Sequence, residues 1–180
     1  MGMARRPAPV KLIAGLLASS DELLGEARAA LSRRFGPLDG LSTPSTWNLS
    51  DYYCDEMGDV IHRQFVSFEE LIAPEKLAGA KQVTNEMENA WRTGAGRRVN
   101  VDPGYIATAK LVLASTKDAA HRVYLRSGIY AEATLHFSRG SFQPYAYSYR
   151  DYAAADAIAF FNEARARYLL QLRESDGSSP

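Results

Sequence analysis

The sequence predicts an α+β fold, with helices packed on an antiparallel or mixed sheet. Three observations lead there. Val10–Leu17 (VKLIAGLL) is apolar enough along both faces for a strand buried on both sides. Later stretches repeat apolar residues at three- and four-residue steps, as amphipathic helices do. Between these lie runs rich in β-branched and aromatic residues, the composition of strands. In chain order the elements read β-α-β-β-α-β, the split arrangement of a ferredoxin-like sandwich, followed by a C-terminal hairpin and a last helix.

Each element has its own signal. Ser19-x-x-Glu22 is a capping box for the first helix, whose stripe is Leu23, Leu24, Ala27, Ala30 and Leu31. Gly36-Pro37 ends it. Residues 38–53, rich in Ser, Thr and Pro, leave room for one short strand near Thr46–Leu49. Asp59–Phe68 (DVIHRQFVSF) follows Gly58 and reads as a strand. Pro74 opens a helix running to about Trp91, with Leu77, Ala80, Thr84, Met87 and Trp91 facing inward. Arg97–Val101 is another short strand.

After Asp102-Pro103 two readings stay open. Asp102 can cap a helix with Pro103 at its first position, or Tyr105–Ser115 can be extended. The helix is preferred. In the hairpin that follows, a three-residue turn Arg126-Ser127-Gly128 sets Leu125 against Ile129 and Val123 against Ala131, with Gly128 left-handed. That register places Tyr124 opposite Tyr130 and Arg122 opposite Glu132. The last helix runs from about Ala154 to Leu172, with Ile158, Phe161, Ala164, Tyr168 and Leu172 inside. A single domain is expected over residues 9–173, with residues 1–8 and 174–180 as flexible termini.

Composition bounds the function classes. Of 180 residues 46% are hydrophobic and 23% charged, the proportions of a globular chain with a real core. Lys plus Arg and Asp plus Glu are 21 each, so no global field attracts nucleic acid or an anionic membrane. The lone Cys54 excludes an internal disulfide, and the N-terminus lacks the apolar stretch of a secretory signal. A cytoplasmic location is therefore expected. His62, His121 and His136 lack ligand-like spacing, so no metal site is assigned. Asp51, Asp55, Glu56 and Asp59 fit a solvated loop better than a calcium loop. The sequence lacks the P-loop, dinucleotide and nucleophile-elbow motifs, and no cofactor is read from it.

Candidate site residues come from charge set among apolar neighbours, which is costly unless paired or used. Lys81, Thr84, Asn85 and Glu88 share one helix side, where Lys81 and Asn85 would grip an anion and Glu88 would handle a proton. The plainer reading is a solvated face. Arg122 and Glu132 make a cross-strand pair, with Tyr124, Tyr130, Lys117 and His121 beside it as one wall of a cleft. Asp102, in Asn100–Tyr105, either caps a turn or borders amides that face an anion. Lys110 and Lys117 would line one side of a helix.

Several segments occur together in order: VKL, EMG, SF with LI and P, TN with E, NVDPGY (Asn100–Tyr105), KLVLASTK (Lys110–Lys117), RVYL, GIYAEATL (Gly128–Leu135) and Asp151-Tyr152. With them the chain resembles a bacterial family, domain-of-unknown-function family 4416, from about residue 9 to 170. The resemblance implies a stand-alone bacterial protein in the cytoplasm. Members of that family sometimes carry a GTP-binding label, but this chain lacks the P-loop and Thr116-Lys117-Asp118 is too short to match a guanine-reading motif.

Two functions follow as expectations. The first is a protein that binds, and acts on, an anionic phosphate- or nucleotide-bearing small molecule. Lys81, Asn85, Lys110, Lys117, Arg122 and Tyr130 would hold it, and Glu88, Glu132 and Asp102 would do the chemistry. The second is an interaction protein, or a homo-oligomer, using the tyrosines of residues 145–152.

Overall fold

The computed structural model describes residues 2–46, 60–94 and 96–177. The first half comprises β1 (Val10–Ala18), α1 (Asp21–Phe35), β2 (Leu38–Leu41), β3 (Ser45–Thr46), β4 (His62–Ile72) and α2 (Leu77–Ala90). Among the described residues, the two-residue strands β5 (Arg92–Thr93) and β6 (Gly96–Arg97) pair only with each other. The rest is β7 (Val99–Ala107), β8 (Lys110–Ser115), β9 (Val123–Arg126), β10 (Ile129–Ser138), β11 (Ser141–Pro144) and α3 (Ala155–Gly177). The large sheet has the order β11-β10-β8-β7-β1-β4-β2, with β3 beside β4 and β9 beside β10. Every ladder is antiparallel. The α+β class stands.

β1 is buried at all nine positions because it has a strand on each side and helices on each face. Side chains alternate along a strand. Leu12, Ala14, Leu16 and Ala18 therefore pack under α1 and α2, with Leu24, Leu31 and Ala80. Ile13 faces the other way, into a core of Phe65, Leu113, Leu135 and the α3 residues Phe161, Ala164 and Tyr168. Lys11 lies on that second face and is 0% exposed. Its ammonium donates to Phe68 O (2.8 Å) and Gln171 Oε1 (2.9 Å) and pairs with Asp39, tying β1 to β2, β4 and α3.

The local signals mostly act where they were read. α1 is capped one residue later than expected: Ser20 Oγ, rather than Ser19, accepts the Leu23 N–H at 3.3 Å. Gly36 stops the helix at φ 96°, donating its N–H to Ser32 O. Pro74–Lys76 form a 3₁₀ turn leading into α2. β2 was not foreseen in its polar surroundings. It is set by pairing with β4, which runs on to Ile72. Most of the strand expected at Thr46–Leu49, together with Cys54 and the acidic group around Tyr52-Tyr53, lies outside the described residues.

The preferred helix after Asp102 is not formed. β7 continues through Pro103 to Ala107 and turns into β8. The β7–β8 ladder begins only at Gly104↔Leu113, so no β8 residue is ladder-paired with residues 99–103. Val101 turns its N–H and C=O to that side, and Pro103, two residues on, points the same way. A missing donor there costs no ladder bond.

The β9–β10 turn is also shorter than expected. Ser127 (φ 53°) and Gly128 (φ 73°) are both left-handed, which makes a two-residue turn with Arg126 opposite Ile129. An irregularity at Leu125 then restores the expected pairs Tyr124↔Tyr130 and Val123↔Ala131. α3 extends to Gly177, past the expected end at Leu172. No described helix is long and apolar enough to cross a membrane.

Candidate functional site

α3 starts at Ala155 and runs toward Lys11, where Tyr168 donates to Pro9 O and Gln171 to Glu69 O. The end of the same sheet face that lies beyond its N-terminus is filled with polar groups. Register puts them there, since opposed residues of a ladder share a face. Gly15 lies between Phe65 and Asp102, and Leu17 between Arg63 and Asn100. Leu113 lies between Gly104 and Glu132, and Ser115 opposes Tyr130. The loop after β8 adds His121 and Arg122, and the segment before α3 adds Tyr149, Asp151 and Tyr152.

Two buried ion pairs anchor this end. Arg63, 4% exposed, meets Asp151 Oδ2 at 2.5 Å and lies over the rings of Phe65 (4.3 Å) and Tyr152 (5.0 Å). Burial pushes the Asp151 carboxyl above its usual 3.8, against the pull of Arg63. The Tyr152 phenol is driven well above 10.0 by its own burial. In the second pair Arg122 Nε donates to Glu132 Oε2 at 2.7 Å. The same guanidinium donates to Ser115 Oγ (2.8 Å), Lys117 O (2.9 Å) and Tyr149 Oη (2.6 Å). Thr134 and His121 complete the shell of Glu132, at 3.0 and 3.1 Å. Such charge-assisted bonds fix the loop 115–122 against β10.

Asp102 stands between the pairs and is their most open carboxylate, 31% exposed. Asn100 Nδ2 donates to it at 2.8 Å and Lys81 Nζ reaches it at 3.3 Å. Its charge is felt on both sides. Burial is the main cause of the raised pKa values of Tyr149, Tyr152 and Asp151, and Asp102 contributes to each rise.

Lys81, Thr84 and Glu88 are buried, so the plainer reading of a solvated α2 face is overturned. Where β7 has no β8 partner, α2 supplies one: Glu88 Oε1 accepts Val101 N–H at 2.9 Å and Lys81 Nζ donates to Val101 O at 2.8 Å. Arg97 Nη1 bridges Glu88 and Asn100 at 3.4 and 3.3 Å. Burial raises the Glu88 carboxyl above its usual 4.5, opposed by Lys81 and by the Val101 N–H.

The structure thus brings Asp102, Arg122 and Glu132 to one end of the sheet, with Lys81 reaching Asp102 from α2. Glu88 lies with Lys81 against β7, and Asn85 is half-buried on the same helix. Tyr130 sits beside the cluster, edge-to-face with Tyr124 at 5.4 Å. Lys117 contributes its carbonyl. Lys110 does not join them. It is exposed at the opposite end of β8, roughly 17 Å from Ser115 at the usual rise of about 3.3 Å per residue. With no helix here, Lys110 and Lys117 share no helical side, and no helix start offers amides at Asp102.

Arg63, Ser115 and Asp151 were missed as site residues. The available signal was an arginine among the β-branched and aromatic residues of β4, and an acid beside Tyr152. Among the described residues no group of three or more His, Cys, Asp or Glu is placed to hold a metal ion.

The class of protein is therefore an α+β domain with a paired-charge cluster at one end of its sheet. Comparison with protein families matches residues 8–168 to the one described as domain of unknown function (DUF4416), and the chain belongs to that family. Searches of curated proteins and of solved structures found no match.

Proposed function

We propose that the chain binds an anionic phosphate- or nucleotide-bearing small molecule at the Arg63–Asp102–Arg122–Glu132 end of the sheet and acts on it. The observation that carries this reading is Asp102: a carboxylate left partly open at the centre of a cluster whose other acids are buried in ion pairs. Buried ion pairs add little net stability, which favours a role beyond holding the fold. A ligand entering there meets Asp102, able to accept from a hydroxyl or take a proton, beside the Tyr149 hydroxyl on Arg122. A phosphate oxygen replacing that hydroxyl would take the Nη2 donor of Arg122.

The order β2-β4-β1-β7, with α1 and α2 on one face, supports reading this half as a ferredoxin-like unit extended by β8–β11 and α3. A lone cysteine fits the cytoplasm.

A thermal-shift screen with nucleotides and sugar phosphates, with and without Mg²⁺, tests the reading. A ligand at 100 times its Kd stabilises by about 2.7 kcal/mol, raising Tm by roughly 5–10 °C in a chain of this size. Asp102→Asn should fold like wild type and lose that rise. A panel giving no rise, or an Asp102→Asn protein keeping it in full, would sink the proposal.

One observation favours a second reading, an interaction surface. β9 is an outer strand whose Val123, Tyr124 and Leu125 are 69%, 57% and 41% exposed. The column of rings His136, Tyr145, Tyr147 and His121, with centroids 4.8, 5.2 and 4.4 Å apart, lies along β10 nearby. Apolar and aromatic area of this kind is what interfaces use.

A further inference from the structure

On the opposite face of the sheet, a cavity of about 550 Å³ opens between the end of α1 and the start of α2. We infer that it is a binding site for an amphipathic anion, an apolar body carrying a single carboxylate or phosphate head. Its floor is Leu12, Phe35, Ile72, Ala80 and Val83. Its rim carries Arg34 from α1, Lys76 from the 3₁₀ turn and Arg126 from the end of β9. The volume is that of a small-molecule site, within the usual range of about 300–1,000 Å³.

Charge decides the class of ligand. None of the three cations is in a salt bridge among the described residues. By contrast, Lys11, Arg63, Lys81 and Arg122 all meet acids. Arg34 lies over the Phe35 ring, at 5.7 Å. The one carboxylate in the lining, Glu70, is tucked against Gly36, 3.3 Å from where a Cβ there would stand. Three cations, each from a different element, converge on an apolar hollow that β4 lines with one acid. A neutral apolar ligand would leave them unused, and a fully polar anion would leave the floor wet. An amphipathic anion satisfies both. Gly79 borders the mouth, and the space above it is open: a Cβ there would come within 3.5 Å of Arg126 Nη2, an ordinary contact.

The test is calorimetric titration of the full chain with decanoate and with decyl phosphate, using decanol as the neutral control. Saturable one-site binding of at least one anion is expected, at least tenfold tighter than decanol. The arm that binds tells carboxylate from phosphate. Lys76→Ala/Arg126→Ala, both exposed positions, should weaken it roughly 9- to 25-fold, at about three- to fivefold per rim charge. Gly79→Leu, compatible with the helix, should block it while leaving Tm at or above wild type. Asp102→Asn, on the other face, should leave it unchanged. The inference is overturned if wild type binds neither anion, if the rim and mouth variants bind normally, or if Asp102→Asn abolishes the binding.

Discussion

Gly15 shows how a single position can serve a distant charge. It lies at the middle of β1, opposite Phe65 on one side and Asp102 on the other. A Cβ there would stand 2.4 Å from the Tyr152 hydroxyl and 2.8 Å from Arg63 Nη2. Glycine normally weakens a strand interior, but here the empty space admits the Arg63–Tyr152 stack. Gly15→Ala should therefore cost about 1–3 kcal/mol in urea unfolding, as overpacking does. A variant within about 0.5 kcal/mol of wild type, the range of an ordinary surface change, would show that the stack gives way freely. In the sequence Gly15 and Lys11 looked like unremarked members of an apolar run. That run identified a buried strand correctly. It could not show that Lys11 finds Asp39 and Gln171, 28 and 160 residues away.

Among the elements, α2 and β7 are joined by side chains that substitute for a missing strand. The spacing of Lys81, Thr84 and Glu88 on one helix side was legible, because helical periodicity is local. What they touch was not, because it depends on where the β7–β8 ladder stops. The Asp102-Pro103 pair was misread for the same reason. An N-cap and a strand beside an unpaired stretch look alike until the neighbours are placed. Glu88 gives a pH prediction. Its folded pKa is raised above the ordinary 4.5, so the folded chain holds this proton where the unfolded chain has lost it. The resulting stability is full below about pH 4.5 and is lost as pH rises through the folded value. In urea unfolding between pH 4 and 7, the advantage of wild type over Glu88→Gln should shrink with rising pH. A gap that widened would reverse the assigned direction.

Across the whole molecule, the open edge of β9 is the feature that bears on assembly. Edge strands are usually blunted by charge, proline or cover, because their free backbone groups invite pairing. β9 is short but exposes Val123, Tyr124 and Leu125 in succession. If the interaction reading holds, sedimentation should show concentration-dependent dimers of wild type. Leu125→Asp, at a position already 41% exposed, should remain monomeric and fold normally. Wild type that stays monomeric throughout would remove β9 as a self-association surface and leave the small-molecule reading standing alone.

The sequence by itself determined the α+β class, the buried β1 and the three long helices of the described residues. Each of these rests on periodicity, capping or turn chemistry acting over a few residues. It also named Asp102, Arg122 and Glu132, because charge among apolar residues is conspicuous wherever it occurs. Only the tertiary structure decided that these three converge with Arg63 and Asp151, that Lys110 stands apart, and that residues 102–107 are extended. Those outcomes depend on which strands lie side by side and where their ladders end, and ladder partners here come from segments far apart along the chain.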